Sequence, residues 1–171
     1  RSEHHLEVLM ALSSSRSLDA APQQVFEALT SQANAQAVAD RVGGGLLEHT
    51  ITDSGDARTT VTVFSLPSDR LPDVVAKMMS NGVVITLEEG WGAAAADGSR
   101  VSTVNATVKG VPVKVSGQET LAAEGTGTVL TLAGEVTSSI PFLGGKISKA
   151  AEPMVDRLLA VRCQAAEAQL S

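Results

Sequence analysis

Tyrosine is absent from this chain, and other aromatic residues are scarce, with three phenylalanines and one tryptophan among 171 residues. Surfaces that bind nucleic acid usually combine a basic patch with aromatic rings on which bases stack. The formal net charge is −6, so neither requirement is met. We therefore expect no nucleic-acid partner.

Cysteine and long apolar runs are also lacking. Cys163 is the only cysteine, which excludes a disulfide within the chain and is typical of a reducing compartment. No apolar run approaches the roughly 20 residues that a membrane-spanning helix needs. Glu3 and Glu7 interrupt the apolar N-terminal stretch and argue against a secretory signal. These absences predict a cytoplasmic protein without an integral membrane segment.

Motifs with recognisable chemistry are missing as well. His4 and His5 are adjacent and near the N-terminus, and no set of His, Cys and carboxylate residues has the spacing of metal ligands. The glycine-rich stretches "VGGGLL" and "EGTGT" read as turns, because no dinucleotide-binding, P-loop or GxSxG motif is present. We expect no metal and no cofactor, and the sequence leans against an enzyme.

The first part of the chain predicts a strand followed by two short helices. Residues 13–19 alternate weakly, and residues 1–12 either extend this strand or form a separate arm. The next stretch, "AAPQQVFEALTSQANAQAVADRVGGG", has Pro22 in a first helical turn and a triple glycine at its end. Residues 13–171 are expected to form one domain.

From residue 46 the hydrophobic period changes to two. "LLEHTIT" and "TTVTVFSL" flank the turn "DSGD" and predict a hairpin. A short helix in "DRLPDVVAKMMSNG" precedes four further strands, in "VVITLEEGW", "RVSTVNATVK", "VPVKVSGQETLA" and "TVLTLAGEVTSSI". The pattern predicts seven antiparallel strands in total.

A long amphipathic helix is predicted over residues 144–170. Its apolar positions are Ile147, Ala150, Ala151, Met154, Leu158, Val161 and Ala165, interleaved with Lys149, Asp156, Arg157 and Arg162. Such a stripe needs a sheet to cover it, which predicts an α+β fold with a curved antiparallel sheet wrapped around the helix. Pro153 removes the amide that would bond Lys149 and should bend the helix.

This order of elements resembles the helix-grip fold of the START and pollen-allergen (SRPBCC) superfamily. More narrowly, "DAAPQQVFEALT", "ITLEEGW", "VSGQETL" and "LAGEVTSSIPFLGGKISK" resemble the actinobacterial family called domain of unknown function 2505. The likeness runs from residue 13 to the region of residue 165, with "IPFLGGKI" as its most specific element. The N-terminal arm and the alanine-rich loop 93–96 depart from it. The resemblance implies a cavity between sheet and helix and no catalytic residue.

Turns centred near residues 95–96, 110–111 and 125–126 predict the register of the last four strands. The predicted rows are Trp91–Arg100–Leu121–Leu130, Glu89–Ser102–Glu119–Leu132, Leu87–Val104–Gly117–Gly134 and Ile85–Ala106–Val115–Val136. This register places the apolar residues of all four strands on one face.

Two features of that face suggest a site. Gly117 and Gly134 form a mid-sheet pair that indicates either a bend or room for a ligand. Glu89 and Glu119 lie two strands apart, with roughly 9–10 Å between their backbones. They form the solvated rim of the cavity, orient a ligand or act as an acid–base pair. Arg100 could neutralise either glutamate or pack on the neighbouring tryptophan.

His49 alternates with Leu47 and Ile51, opposite Val61 and Val63 if the hairpin turns at residues 54–55. It is either a hydrogen-bonded core residue or a ligand contact. Met78, Met79 and Met154 are either core or an adaptable pocket lining. The candidate cavity residues are His49, Ile85, Leu87, Glu89, Trp91, Arg100, Gly117, Glu119, Gly134, Met154 and Leu158.

Three functions stay open at this point. The preferred one is binding of a small apolar or amphipathic molecule, such as a lipid, between the sheet and the last helix. The second is an enzyme of the cyclase or hydratase kind that the superfamily also contains, using the cavity carboxylates. The third is a protein–protein interaction module with a closed core. The sequence specifies neither the ligand nor the oligomeric state.

Overall fold

The computed structural model describes residues 7–138 and 144–171, and these contain the predicted elements in the predicted order. The strands are β1 (Glu7–Leu18), β2 (Gly45–Ser54), β3 (Ala57–Leu66), β4 (Val83–Trp91), β5 (Arg100–Val108), β6 (Val111–Glu124) and β7 (Gly127–Ser138). The helices are α1 (Pro22–Thr30), α2 (Gln32–Arg41), α3 (Asp73–Met78) and α4 (Gly144–Leu170), with a 3-10 turn at Ser68–Arg70.

All seven strands form one antiparallel sheet in the order β1-β7-β6-β5-β4-β3-β2. The sheet curves around α4, which confirms the predicted α+β helix-grip fold. Residues 7–12 belong to β1 and pair with β7, so this part of the N-terminal segment extends the first strand. The "IPFL" part of the turn before α4 lies outside the described residues.

Local sequence signals explain where the two short helices begin and end. Pro22 occupies the first turn of α1, and the Gln24 side chain accepts a hydrogen bond from the Ala21 amide. The Ser31 hydroxyl accepts from the Asn34 amide at 3.1 Å and caps α2. Gly43 follows α2 with φ +75°, a conformation that glycine adopts without the strain of a Cβ atom.

The predicted register is right for β5–β6 and β6–β7 and wrong for β4–β5. Trp91 pairs with Ser102 and Glu89 with Val104, two residues away from the prediction. The turn is built around Gly98, which has φ +87°, and not at residues 95–96. Moving the centre of a turn by one residue moves the pairing by two, so every side chain keeps its predicted face.

The β2–β3 hairpin differs from the prediction for a similar reason. Its turn lies one residue later than expected, so His49 pairs with Thr62 and not with either neighbouring valine. A bulge between Leu46 and Glu48 also shifts the register. As a result Leu47 is 59% exposed, although the alternating pattern placed it on the apolar face.

The second half of α4 packs into the core together with α1 and α2. Leu159, Cys163 and Ala166 join one buried cluster with Phe26, Trp91, Leu121 and Leu130. Val161 and Ala165 join a second one with Val38 and Phe64. Burial raises the pKa of the Cys163 thiol to about 11, so this cysteine is a protonated core residue at neutral pH.

The helix α4 continues through Pro153 without ending, so the predicted bend there stays a prediction. None of the helices in the described parts of the chain has both the length and the apolarity to cross a bilayer.

Candidate functional site

A cavity of about 520 Å³ lies between the sheet and the first half of α4. Inward-facing side chains of β3 to β6 form its floor, the end of α2 forms one wall, and residues 69–75 close over one side. Its lining residues are Val38, Val42, Phe64, Leu66, Asp69, Arg70, Leu71, Pro72, Val75, Val83, Ile85, Leu87, Ala106, Val108, Val111, Val113, Val115, Ala150, Met154, Val155, Arg157 and Leu158.

The lining is almost entirely apolar. Of the 22 residues, only Asp69, Arg70 and Arg157 are charged or polar, and all three side chains are exposed. Ligand pockets typically have this size and composition, about 300–1,000 Å³ with few polar groups. The arrangement suits a molecule with an apolar body.

Four of the predicted cavity residues line this space: Ile85, Leu87, Met154 and Leu158. The first two face inward from β4, and the other two lie one turn apart on α4. Met78 and Met79, on and just after α3, are not among the lining residues. Met79 packs against Leu66, Leu71 and Val83, which themselves line the cavity.

A small polar recess of about 20 Å³ adjoins the large cavity. The two spaces share Val38, Phe64, Leu87 and Leu158 as lining residues. The recess adds polar side chains to these, namely Asn34, His49, Thr62, Glu89 and Arg162. Its volume is enough for about one water molecule. The apolar cavity therefore has one polar inner end.

Glu89, Glu119 and Arg162 form a buried ion cluster at that end. Arg162 Nη2 donates to Glu89 Oε2 at 2.9 Å, and Nη1 donates to Glu119 Oε2 at 2.9 Å. The three residues are 4%, 1% and 8% exposed. Thr60 donates a further hydrogen bond to Glu89 Oε1 at 3.3 Å. The helix thus supplies one cation to two carboxyl groups of the sheet.

The two carboxyl groups differ in their affinity for a proton. Burial raises the pKa of Glu119 well above its usual range, and the negative charge of Glu89 raises it further against the opposing charge of Arg162. Burial acts on Glu89 too, but the charge of Arg162 and the hydrogen bonds from Arg162 and Thr60 outweigh it, so the pKa of Glu89 is lowered. Of the two carboxyl groups, Glu119 therefore binds a proton more readily, and Glu89 is favoured in its ionised form beside Arg162.

This cluster leaves little scope for acid–base chemistry. Both carboxyl groups accept hydrogen bonds from Arg162, and Glu119 is the one whose pKa is raised. Glu119 lines neither the cavity nor the recess. Among the described residues, no three His, Cys, Asp or Glu side chains are grouped as metal ligands.

Arg100 and Trp91 lie elsewhere, and the predicted contacts of Arg100 are wrong. Its guanidinium lies over the Phe26 ring at 3.8 Å from the centroid and donates to the Asp56 carbonyl oxygen at 2.7 Å. Trp91 meets the same ring edge-on, with centroids 5.7 Å apart. Arg100 neutralises Asp56 instead of a glutamate. Both residues belong to the packed end of the core, away from the cavity.

The glycine pair brings two strands close together and does not line the cavity. Gly117 and Gly134 are direct partners across β6 and β7. A Cβ atom on Gly117 would lie 2.3 Å from the Ala133 carbonyl oxygen, and one on Gly134 would lie 2.5 Å from that of Ser116. The two backbones occupy the space that side chains would otherwise fill. The glycine pair therefore does not support the interpretation as room for a ligand.

His49 ties β2 to the end of α1. Its Nε2 lies 2.9 Å from the Thr30 carbonyl oxygen, and its Nδ1 lies 2.9 Å from Thr62 Oγ1. A carbonyl oxygen only accepts, so Nε2 carries the proton and Nδ1 accepts from the threonine hydroxyl. Both ring nitrogens are thereby satisfied within the protein.

Sequence reasoning missed Arg162, which it placed on the polar side of α4. A signal for it existed, because two carboxylates on an apolar face require a buried cation and Arg162 follows Leu158 by one helical turn. It also missed residues 69–75 and the valines of β6. Nothing in the apolar residues of these two segments indicated that they line a cavity.

Residues 13–170 match the family model described as protein of unknown function DUF2505. An uncharacterized protein of Mycobacterium tuberculosis is 28% identical over 125 residues, which cover 71% of this chain and 67% of that protein.

Solved structures share the fold at low sequence identity. TTHA0849 from Thermus thermophilus has a TM-score of 0.61 at 16% identity, over 95% of this chain and all (100%) of that one. The lipid transfer and protein localization domain of human StarD13 has a TM-score of 0.60 at 12% identity, over 92% of this chain and 77% of that one. The Zhui aromatase/cyclase from Streptomyces has a TM-score of 0.56 at 14% identity, over 96% of this chain and 93% of that one.

The predicted resemblance is thus confirmed both by the family match and by the START-like neighbours. Because that match extends over residues 13–170, the chain belongs to the DUF2505 family and has the helix-grip fold.

Proposed function

We propose that this protein binds a small apolar or amphipathic molecule in the cavity between the sheet and α4. The observation that carries the proposal is the cavity itself, about 520 Å³ with 19 apolar residues among its 22 lining residues. Apolar surface left inside a fold of this size is unusual unless something covers it. The human StarD13 domain, which has the same fold, is described as a lipid transfer domain, and this agrees with a lipid-like ligand.

The two alternatives receive less support. A closed-core interaction module requires a filled interior, and a cavity of this volume argues against one. A cyclase or hydratase requires acid–base groups that face the substrate, whereas Glu89 and Glu119 are both held by Arg162. Cytoplasmic location stays a prediction from the sequence.

Native mass spectrometry of freshly purified protein tests the proposal when it is compared with the same sample after denaturing extraction. We expect a bound species that is lost on denaturation, or one that forms when apo protein is mixed with lipid extract. Ala106→Phe should abolish the bound species, because Ala106 lines the cavity and a ring there fills it.

Val101→Phe is the matched control. It lies on the same strand, is 46% exposed on the opposite face, and should leave binding unchanged. Protein that stays free of ligand from its native host and in the presence of lipid extract would overturn the proposal. So would equal binding by both variants, provided that circular dichroism shows them folded.

A further inference from the structure

The polar residues of the cavity are concentrated at its mouth, and they carry net positive charge. Arg70 and Arg157 both line the cavity, one from the 3-10 turn and one from α4. Asp69 is the third charged lining residue. With two cations and one anion, the mouth is positive although the whole chain has a net charge of −6.

Most of the other arginines in the described parts of the chain have ion-pair partners, whereas Arg70 and Arg157 have none. Arg16 pairs with Asp156, Arg58 with Asp53 and Glu27, Arg100 with Asp56, and Arg162 with Glu89 and Glu119. Among residues 7–138 and 144–171, the arginines without an ion pair or a side-chain hydrogen bond are Arg41, Arg70 and Arg157. Two of these three line the cavity.

At the inner end of the cavity, by contrast, the charged residues are already paired. Glu89 and Arg162 reach the recess already paired with each other, and Arg162 is also paired with Glu119 at 2.9 Å. A buried anion entering there would have to compete with Glu89 for Arg162 and would lose its hydration. An anionic group is therefore favoured at the mouth and disfavoured at the inner end.

From this polarity we propose that the cavity selects amphiphiles with one anionic head group, held by Arg70 and Arg157, with the apolar body directed inward. The inference rests on the proposed function and specifies its ligand class. The guanidinium groups suit both carboxylate and phosphate, because each presents paired oxygens to a planar fork of donors. The head group stays near solvent, so its binding should weaken as salt is added.

Isothermal titration calorimetry with four ligands of one chain length tests this, using decanoate, decyl phosphate, decan-1-ol and decylamine below their micellar concentrations. We expect at least one of the two anions to bind more tightly than the alcohol, and the amine to bind most weakly. The preferred anion identifies the head group as a carboxylate or a phosphate. Its affinity, unlike that of the alcohol, should fall with added salt.

Arg70→Gln and Arg157→Gln should each weaken anion binding about five-fold, the effect of an exposed charge contact, and leave the alcohol unaffected. Arg41→Gln is the matched control. It removes an exposed, unpaired arginine at the end of α2 that does not line the cavity, and it should change anion binding less than two-fold or so.

The outcomes separate this inference from the function on which it rests. Equal binding of the alcohol and both anions, or an equal loss in Arg41→Gln, overturns the anion selectivity and leaves the cavity function standing. If none of the four ligands binds and Ala106→Phe also changes nothing in the native mass spectrum, both proposals fail.

Discussion

Arg162 and Glu89 meet with Nη2 and Oε2 2.9 Å apart, although one belongs to the last helix and the other to the middle of the sheet. Both side chains are almost fully buried. The pair lies between two different environments, since Leu158 one turn earlier borders the cavity and Cys163 just after lies in the packed core. It joins helix and sheet where the cavity ends.

Arg162→Met should lower the free energy of unfolding by about 3–5 kcal/mol, because it leaves the Glu89 carboxylate buried without its cation. Urea denaturation followed by circular dichroism measures the change. Arg157→Met, on the exposed side of the same helix, is the control and should cost less than about 0.5 kcal/mol. Similar losses in the two variants would contradict a special role for the buried pair.

Glu119→Gln should be tolerated far better than Glu89→Gln. Burial raises the pKa of Glu119, so the amide replaces the protonated form with little change in charge, and we expect a cost of about 1 kcal/mol or less. Glu89 is ionised, and its loss leaves Arg162 without its anion at a cost of about 3 kcal/mol or more. Thermal unfolding of both variants at neutral pH gives the comparison. The reverse order would show that the proton lies on Glu89.

The pH dependence of stability follows from the raised pKa of Glu119. Above the ordinary value of 4.5 the unfolded chain loses this proton while the folded protein keeps it. Folding then takes up a proton, and the free energy of unfolding falls as pH rises, until the folded pKa is passed. The lowered pKa of Glu89 has the opposite sign: its contribution is present above the ordinary value of 4.5 and is lost as pH falls through its folded pKa.

Urea titrations at a series of pH values above 4.5 should therefore show a decline in stability in the native sequence that approaches 1.4 kcal/mol per pH unit. In Glu119→Gln this component should vanish. A decline of the same slope in both proteins would place the responsible proton elsewhere.

Gly117→Ala should destabilise the sheet by about 1–3 kcal/mol, the usual cost of forcing an extra group into packed structure. The new Cβ would lie 2.3 Å from the Ala133 carbonyl oxygen, and a backbone atom cannot turn aside. Gly92→Ala is the control, since its nearest neighbour would be 3.5 Å away. Chemical denaturation should separate the two, and an unaffected Gly117→Ala protein would show that β6 and β7 can move apart freely.

The sequence predicts structure best where a residue type has one strong conformational preference. Pro22 at a helix start and Gly43 at a helix end gave the element order correctly. The four alanines before Asp97 carry no such preference, so the centre of that turn was placed one residue early and the β4–β5 pairing two residues out. The alternation of apolar and polar residues in β2 likewise does not indicate the bulge beside Leu47.

The candidate site was predicted less well than the fold, because a site depends on what lies across the interior. The prediction found the apolar residues of β4 and the two carboxylates, but the cation it considered for them was Arg100, with packing on Trp91 as the alternative. That arginine is on the same sheet, whereas the true partner comes from a helix 43 residues beyond Glu119. The hydrophobic period and the turn residues determine on which face of the sheet a side chain lies. They do not determine which residue from a distant part of the sequence contacts it there.

The division of α4 into a cavity-facing half and a core-facing half has a consequence for its motion. Side chains that border empty space have fewer atoms against them and gain less dispersion energy than those in the core. Backbone amides near Met154 should therefore exchange with deuterium faster than those near Cys163, since local opening costs least where few apolar contacts are lost. A molecule that fills the cavity would even out this gradient along the helix, so its arrival and departure require the loosening of only a few turns.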